Sequence, residues 1–348
     1  SVLRSFYRNT VFHWHAIGQG EWAHGSQRLS LEGPVWLDGL ARKISGFLLE
    51  SPFASISVSP TSTSDSIAVA SAREMIVCNG LADPCVDFDE SPSSSIAERR
   101  RELSNSPAPC FRILFLSHGT IEKGITDALE CMHILLQRCN PAWKFRITFA
   151  GGVSSAARIK FDHLAGRIIS SWPQRIEILE LGYITGSDKH ACYSTHDVFL
   201  SPSRWESFGL TACEAMAYGL EIVAAASDGV KGVLGESHPY LAPVSDPPEL
   251  AAKLESCCTA ILRNPEIESV KRARGRFVEN FQVDAFDQNI SSAFRELSSE
   301  TASVPSRPSI PTMELVDSRP DKTTIRVYLA DQNPGHDRSY GISRMSQA

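Results

Sequence analysis

The sequence predicts an α/β protein organised around a doubly wound parallel sheet and divided into two domains. Strand and helix patterns alternate from Phe111 to Leu297, as a parallel sheet with crossover helices requires. Phe111-Arg-Ile-Leu-Phe-Leu is a near-continuous apolar run, which fits a strand covered on both faces. The length, 348 residues, is more than one hydrophobic core usually serves.

Near the N-terminus, Thr10-Val-Phe-His13-Trp-His15-Ala alternates, so both histidines fall on one strand face and Phe12 and Trp14 on the other. An H-x-H metal site would need a third ligand, and the spacing offers none. Asp83 to Pro109, rich in Ser, Pro, Asp and Arg, reads as an inter-domain linker. The second domain, 110–297, opens on the Phe111 strand. Ile125 to Gln137 follows as an amphipathic helix with Ala128, Leu129, Met132, Leu135 and Leu136 at helical spacing. Phe145-Arg-Ile-Thr-Phe-Ala-Gly-Gly and Ile176-Glu-Ile-Leu-Glu-Leu-Gly are the next strands. Val198-Phe-Leu200 is a short one, and a helix from Gly209 to Tyr218 stops at Gly219. Glu300 to Thr323 is a polar, proline-punctuated tether, giving a disordered linker over 298–323.

Composition excludes several classes. Hydrophobic residues make up 42% and charged residues 21%, ordinary globular usage, and the net charge of −6 argues against a nucleic-acid footprint. Nine cysteines occur without a C-x-x-C pair and read as reduced core residues. No apolar run is long enough to span a bilayer and no signal organisation opens the chain, so a cytoplasmic location is expected, with peripheral membrane contact left open.

Ligands of open α/β sheets bind beyond the carboxyl ends of the strands. Ser117-His118, Gly151-Gly152, Gly182-Tyr183 and Ser201-Pro202 all fall on that rim. The richest segment is Ser201-Pro-Ser-Arg-Trp-Glu206-Ser-Phe-Gly-Leu-Thr-Ala-Cys-Glu214-Ala-Met-Ala-Tyr-Gly219. Backbone N–H groups of Gly209, Leu210 and Thr211 at a helix start would bind phosphate through orphan donors and the positive end of the helix dipole. Glu214 lies one turn inside and Glu206 in the loop. Two carboxylates at one helix mouth repel unless hydroxyl-rich ligand or cations lie between them.

Glu206 and Glu214, with Phe208-Gly-Leu between them and Ala-Met-Ala-x-Gly after, resemble the E-x7-E signature of the retaining group-1 (family-4) glycosyltransferases of the GT-B fold. Leu181-Gly-Tyr-Ile, Tyr193-Ser-Thr-His-Asp-Val-Phe-Leu-Ser-Pro-Ser and Ile222-Val-Ala-Ala-Ala-Ser-Asp-Gly-Val resemble flanking segments of the same family. The resemblance implies two Rossmann-like domains, the N-terminal one incomplete. It implies an enzyme that moves a sugar from a nucleotide diphosphate sugar to an acceptor hydroxyl with retention, the acceptor being a glycan, lipid or small molecule. No cofactor and no metal are implied. Ser117-His-Gly-Thr-Ile-Glu-Lys123-Gly124 is similar to the family's diphosphate loop, with Lys123 at its lysine position and His118 where an arginine usually stands; histidine cannot form a bidentate fork. Glu221 stands where the family normally has proline, so strand entry there is expected to be looser.

By the same resemblance Glu206, His15 and Lys123 are the catalytic candidates. Glu214, Lys123, Phe208, Gly209, Leu210, Thr211, His118, Gly182 and Tyr183 would bind the donor. Residues 1–82 resemble part of the acceptor-side domain, with Ala54-Ser-Ile-Ser-Val-Ser59 and Met75-Ile-Val-Cys-Asn79-Gly80 as its last strands and turn. Thr324-Ile-Arg-Val-Tyr-Leu-Ala330 and the glycine loop through Gly341 (324–348) resemble the start of such a domain. Either the chain is cut from a tandem enzyme, the preferred reading, or the tail folds back to supply a missing strand. A nucleotide-sugar-binding module without turnover and a sugar-nucleotide epimerase remain as alternative functions.

Overall fold

The computed structural model describes residues 11–14, 54–57, 74–84, 92–264, 268–301 and 327–329. In chain order its elements are β1 (Val11–Trp14), β2 (Ala54–Ser57), β3 (Glu74–Ile76), α1 (Pro92–Asn105), β4 (Cys110–Leu116), α2 (Ile125–Arg138), β5 (Lys144–Ala150), α3 (Ser155–Ser171) and β6 (Ile176–Gly182). After these come α4 (Gly186–Thr195), β7 (Val198–Ser201), α5 (Leu210–Tyr218), β8 (Glu221–Ala225), α6 (Asp228–Leu234), β9 (Leu241–Ala242), α7 (Pro247–Arg263), α8 (Glu268–Asn280), α9 (Val283–Thr301) and β10 (Val327–Leu329). The chain forms two compact units, Cys78–Asp287 and a second made of Ser1–Val77 with Gln288–Ala348.

Cys78–Asp287 contains a parallel sheet in the order β6-β5-β4-β7-β8-β9. Winding runs outward from β4 to β6, returns to β7 on the other side of β4, and runs outward again. The reversal lies between β4 and β7, the topological position beyond whose carboxyl ends open α/β sheets bind ligands. The α/β prediction therefore holds. Alternation sets the layers: Phe111, Ile113 and Phe115 of β4 and Phe145, Ile147 and Phe149 of β5 face one core with α2, α3 and α7, and all six are buried. Phe111 stacks on Phe145 at 5.8 Å and Phe115 packs on Phe149 at 5.3 Å. The helical spacing read from Ile125 to Gln137 is this contact: Ala128, Leu129, Met132, Leu135 and Leu136 are buried in it.

The linker expected over 83–109 is largely helix α1, tied to this same unit. Arg100 Nη2 lies 2.6 Å from Glu221 Oε1, both side chains buried, and Arg99 pairs with Asp197 at 2.8 Å. Leu103 of the same helix is buried. Asp83 accepts from Arg274 Nη1 at 2.8 Å. Composition marked the segment as polar, yet its arginines are drawn to two buried carboxylates that follow it by about a hundred residues. Strand entry at Glu221 is also not loose: β8 begins at Glu221 itself, and the residue is buried.

The other unit holds a parallel sheet in the order β10-β1-β2-β3. Val11, Phe12 and His13 pair with Val327, Tyr328 and Leu329. This corrects the preferred reading of the tail, which gave 324–348 no partner sheet. An alternating β-branched segment satisfies its backbone groups by pairing with an unpartnered strand edge, here that of β1. Helix α9 runs to Thr301, so residues 298–301 are helical where a disordered linker was expected; the rest of that segment, and His15, lie outside the described residues.

Candidate active site

Helix α5 starts at Leu210 after Gly209, which adopts φ 95° and ψ 50°, and ends at Gly219 with φ 74°. Both glycines occupy the left-handed region that side-chain-bearing residues avoid. No side chain caps the first turn. The orphan N–H donors of that turn, Leu210 and Thr211 among them, are left to solvent or a ligand. Leu210 is 39% exposed at this mouth.

Glu214, one turn in, is held through both oxygens. Oε1 lies 2.5 Å from Lys189 Nζ, and Oε2 accepts from the Tyr193 hydroxyl at 2.8 Å. Tyr193 is buried and stacks on Tyr218 with centroids 5.0 Å apart. Burial, then the neighbouring Glu214 charge, pushes the Tyr193 hydroxyl well above its ordinary range, so it remains a donor. Its oxygen also reaches the Thr211 carbonyl at 3.2 Å.

Glu206 lies in the loop after β7, and Oε2 sits 2.7 Å from Lys123 Nζ. Side-chain exposures of 26% for Lys123 and 19% for Glu206 leave the pair reachable from solvent. Two of the three catalytic candidates are thus brought together, from loops 83 residues apart. The loops lock through backbone contact. Gly124 has φ 74°, and a Cβ there would meet the Pro202 carbonyl oxygen at 2.1 Å, so only glycine allows the two loops this approach. Arg204 N–H donates to the Glu122 carbonyl at 2.9 Å, while its guanidinium forks onto buried Asp127 at 3.0 and 2.7 Å. On the far side Gly229 N–H donates to the Glu206 carbonyl at 2.9 Å.

Among the donor candidates, His118 is exposed, and its carbonyl accepts from Thr120 N–H at 2.8 Å. Tyr183 is 48% exposed beside Gly182, whose φ is 64°. The Phe208 ring is buried edge-on against Phe281 at 5.8 Å, which leaves its backbone to face a ligand. Sequence reasoning missed Lys189, Tyr193, Arg204 and Asp127. Lys189 and Tyr193 are four apart and share a helix face, but no local spacing links them to Glu214.

A cavity of about 560 Å³ lies away from this mouth, between α4 and the sheet face, lined by Arg112, Arg146, Thr148, Leu181 and His196 among others. His196 is locked there: Nδ1 donates to the Cys192 carbonyl at 2.6 Å and Nε2 accepts from Thr148 at 2.9 Å. Burial lowers its pKa to about 4. The Lys123–Glu206 and Lys189–Glu214 pairs are not among the residues that line this cavity. Among the described residues no three His, Cys, Asp or Glu side chains converge as metal ligands would, and no helix is long and apolar enough to cross a membrane.

Residues 110–260 match the family described as Glycosyl transferases group 1. An uncharacterized glycosyltransferase of Methanocaldococcus jannaschii is 30% identical over 122 residues, 35% of this chain and 29% of that protein. A D-inositol 3-phosphate glycosyltransferase of Corynebacterium kroppenstedtii is 30% identical over 180 residues, 48% of this chain and 37% of its own length. The chain thus spans less than two-fifths of these relatives. The crystal structure of Anabaena HepE in complex with UDP and glucose superposes with a TM-score of 0.58 at 19% identity, covering 83% of this chain and 72% of that one, which places the fold among GT-B structures.

Proposed function

We propose that the chain transfers a sugar from a nucleotide diphosphate sugar to an acceptor hydroxyl with retention at the anomeric carbon, without a metal or other cofactor. The observation that carries this is the ion pair of Lys123 and Glu206 at the mouth of an uncapped helix whose next turn presents Glu214. The diphosphate would bind against the first-turn N–H groups of α5, where orphan donors and the dipole favour negative charge. Lys123 would pass from Glu206 to the phosphates as the bond from the anomeric carbon to the diphosphate oxygen breaks and that oxygen gains charge. Glu206, released, would accept hydroxyls of the transferred sugar and favour the cationic character of the ring. Glu214 would take the ribose hydroxyls, with Gly182 and Tyr183 near the base and His118 on the phosphate side.

The match over 110–260 and a solved relative in complex with UDP and glucose support the nucleotide sugar. His15 belongs to the proposal through sequence resemblance alone. Calorimetry of the full chain with UDP, GDP and ADP, followed by product analysis of the matching nucleotide sugars with and without acceptor, tests it. Binding with transfer is expected. Binding without turnover would favour a binding module, epimerised donor would favour the epimerase, and no binding would overturn the reading.

A further inference from the structure

Glu214 is fixed before any ligand arrives. A carboxylate offers about four acceptor sites, and Lys189 and Tyr193 each take one, on different oxygens. One site on each oxygen is left, and two acceptors held at a fixed separation suit two vicinal hydroxyls. Tyr193 alone would hold only Oε2, leaving the group free to swing about it, and it already shares its hydroxyl with the Thr211 carbonyl. Lys189 removes that freedom.

Charge gives a second argument. Glu214 is one turn inside the helix mouth, where its carboxylate opposes any anion bound at the first turn. Lys189 cancels that opposition from α4, a helix that also begins on the rim, four residues after β6 ends at Gly182. Glu206 has its own lysine in the same manner, so each carboxylate of the pair is matched by one cation from a different loop or helix.

We infer that Lys189 is a positioning residue: it sets the orientation of Glu214 and neutralises it, so that Glu214 accepts the vicinal diol of a ribose beside a bound diphosphate. This rests on the proposed reading of Glu214. The two ideas are separated by comparing ribo and 2′-deoxy nucleotides. UDP with dUDP, GDP with dGDP, and ADP with dADP, are titrated by calorimetry into the parent chain, Lys189→Met, Lys189→Arg and Glu214→Gln, with thermal melts of each.

Lys189→Met should weaken the ribonucleotide about tenfold, the order of one charged hydrogen bond, and should erase most of the preference over the 2′-deoxy form. Lys189→Arg should recover much of that preference, and the melts should move little because the pair is partly exposed. If Lys189→Met keeps the parent preference while Glu214→Gln abolishes it, the role of Lys189 is overturned and Glu214 stands. If Glu214→Gln keeps it too, Glu214 does not hold the ribose and both ideas fall. Binding of none of the three bases would overturn the nucleotide reading itself. A Lys189→Met chain that melts early, with Lys189→Arg unable to restore discrimination, would reduce Lys189 to a structural tie.

Discussion

At the residue scale the site consists of carboxylates matched to cations. Glu214→Gln keeps the shape and removes the charge, so it should weaken nucleoside diphosphate binding by roughly 1.5–3 kcal/mol while the chain stays folded. Calorimetry that returns the parent affinity would remove Glu214 from the site. Lys123→Ala should cost the diphosphate far more than the nucleoside; equal losses would mean that Lys123 serves the fold. Arg100 and Glu221 are a different case, because both are buried. Arg100→Met should destabilise the protein by loss of the buried ion pair with Glu221, and adding Glu221→Met should recover part of that loss. Denaturant titration of single and double variants measures this directly. His196 sets a pH trend: its native pKa lies below the unfolded value of 6.5, so the native state binds fewer protons and stability falls as pH drops from about 6.5 to 4. Glu206, Glu214 and Lys123 were legible because each sits in a local pattern of loop and helix start. Lys189 and Arg204 were not, since their roles depend on partners 25 and 77 residues distant that only the fold brings near.

At the scale of elements, glycines decide how closely the rim loops approach. Gly124 and Gly166 make a controlled comparison. Gly124 sits at positive φ against the Pro202 carbonyl, whereas Gly166 lies inside helix α3 with nothing within 4 Å of a Cβ. Gly124→Ala should therefore push the loop after β4 away from the loop after β7, separate Lys123 from Glu206 and lower the melting temperature. Gly166→Ala should stabilise the chain by about 0.4–1 kcal/mol through the lost freedom of the unfolded state. Thermal melts of both with donor titrations check this, and a silent Gly124→Ala would show that the loops are not coupled through that contact. Strands β4 to β7 and helices α2 and α5 were readable because apolar periodicity and glycine stops are local signals. Helix α1 was not, because its polar face is satisfied by Asp197 and Glu221, which no window around residues 92–105 contains.

At the scale of the whole molecule, the telling pair is β1 with β10, joined across most of the chain. The strand pattern of Thr324 to Ala330 was legible, but its partner was not, because alternation fixes which face a side chain takes and never which edge the strand joins. Val11–His13 matched to Val327–Leu329 puts β10 at the end of a four-stranded parallel sheet whose other strands come from the first 76 residues. Parallel pairing leaves β1 with one ladder on each side, so removing β10 exposes one row of its N–H and C=O groups. Deleting 324–348 should accordingly speed hydrogen exchange at Val11–Trp14 while leaving the rest of the exchange map and the nucleoside diphosphate affinity near parent values. The rim residues Lys123, Glu206 and Glu214 all lie within Cys78–Asp287, a separate compact unit. Exchange at Val11–Trp14 that ignores the deletion would show that β10 contributes nothing to that sheet. A deletion that also abolished nucleotide binding would mean that the two units are energetically coupled.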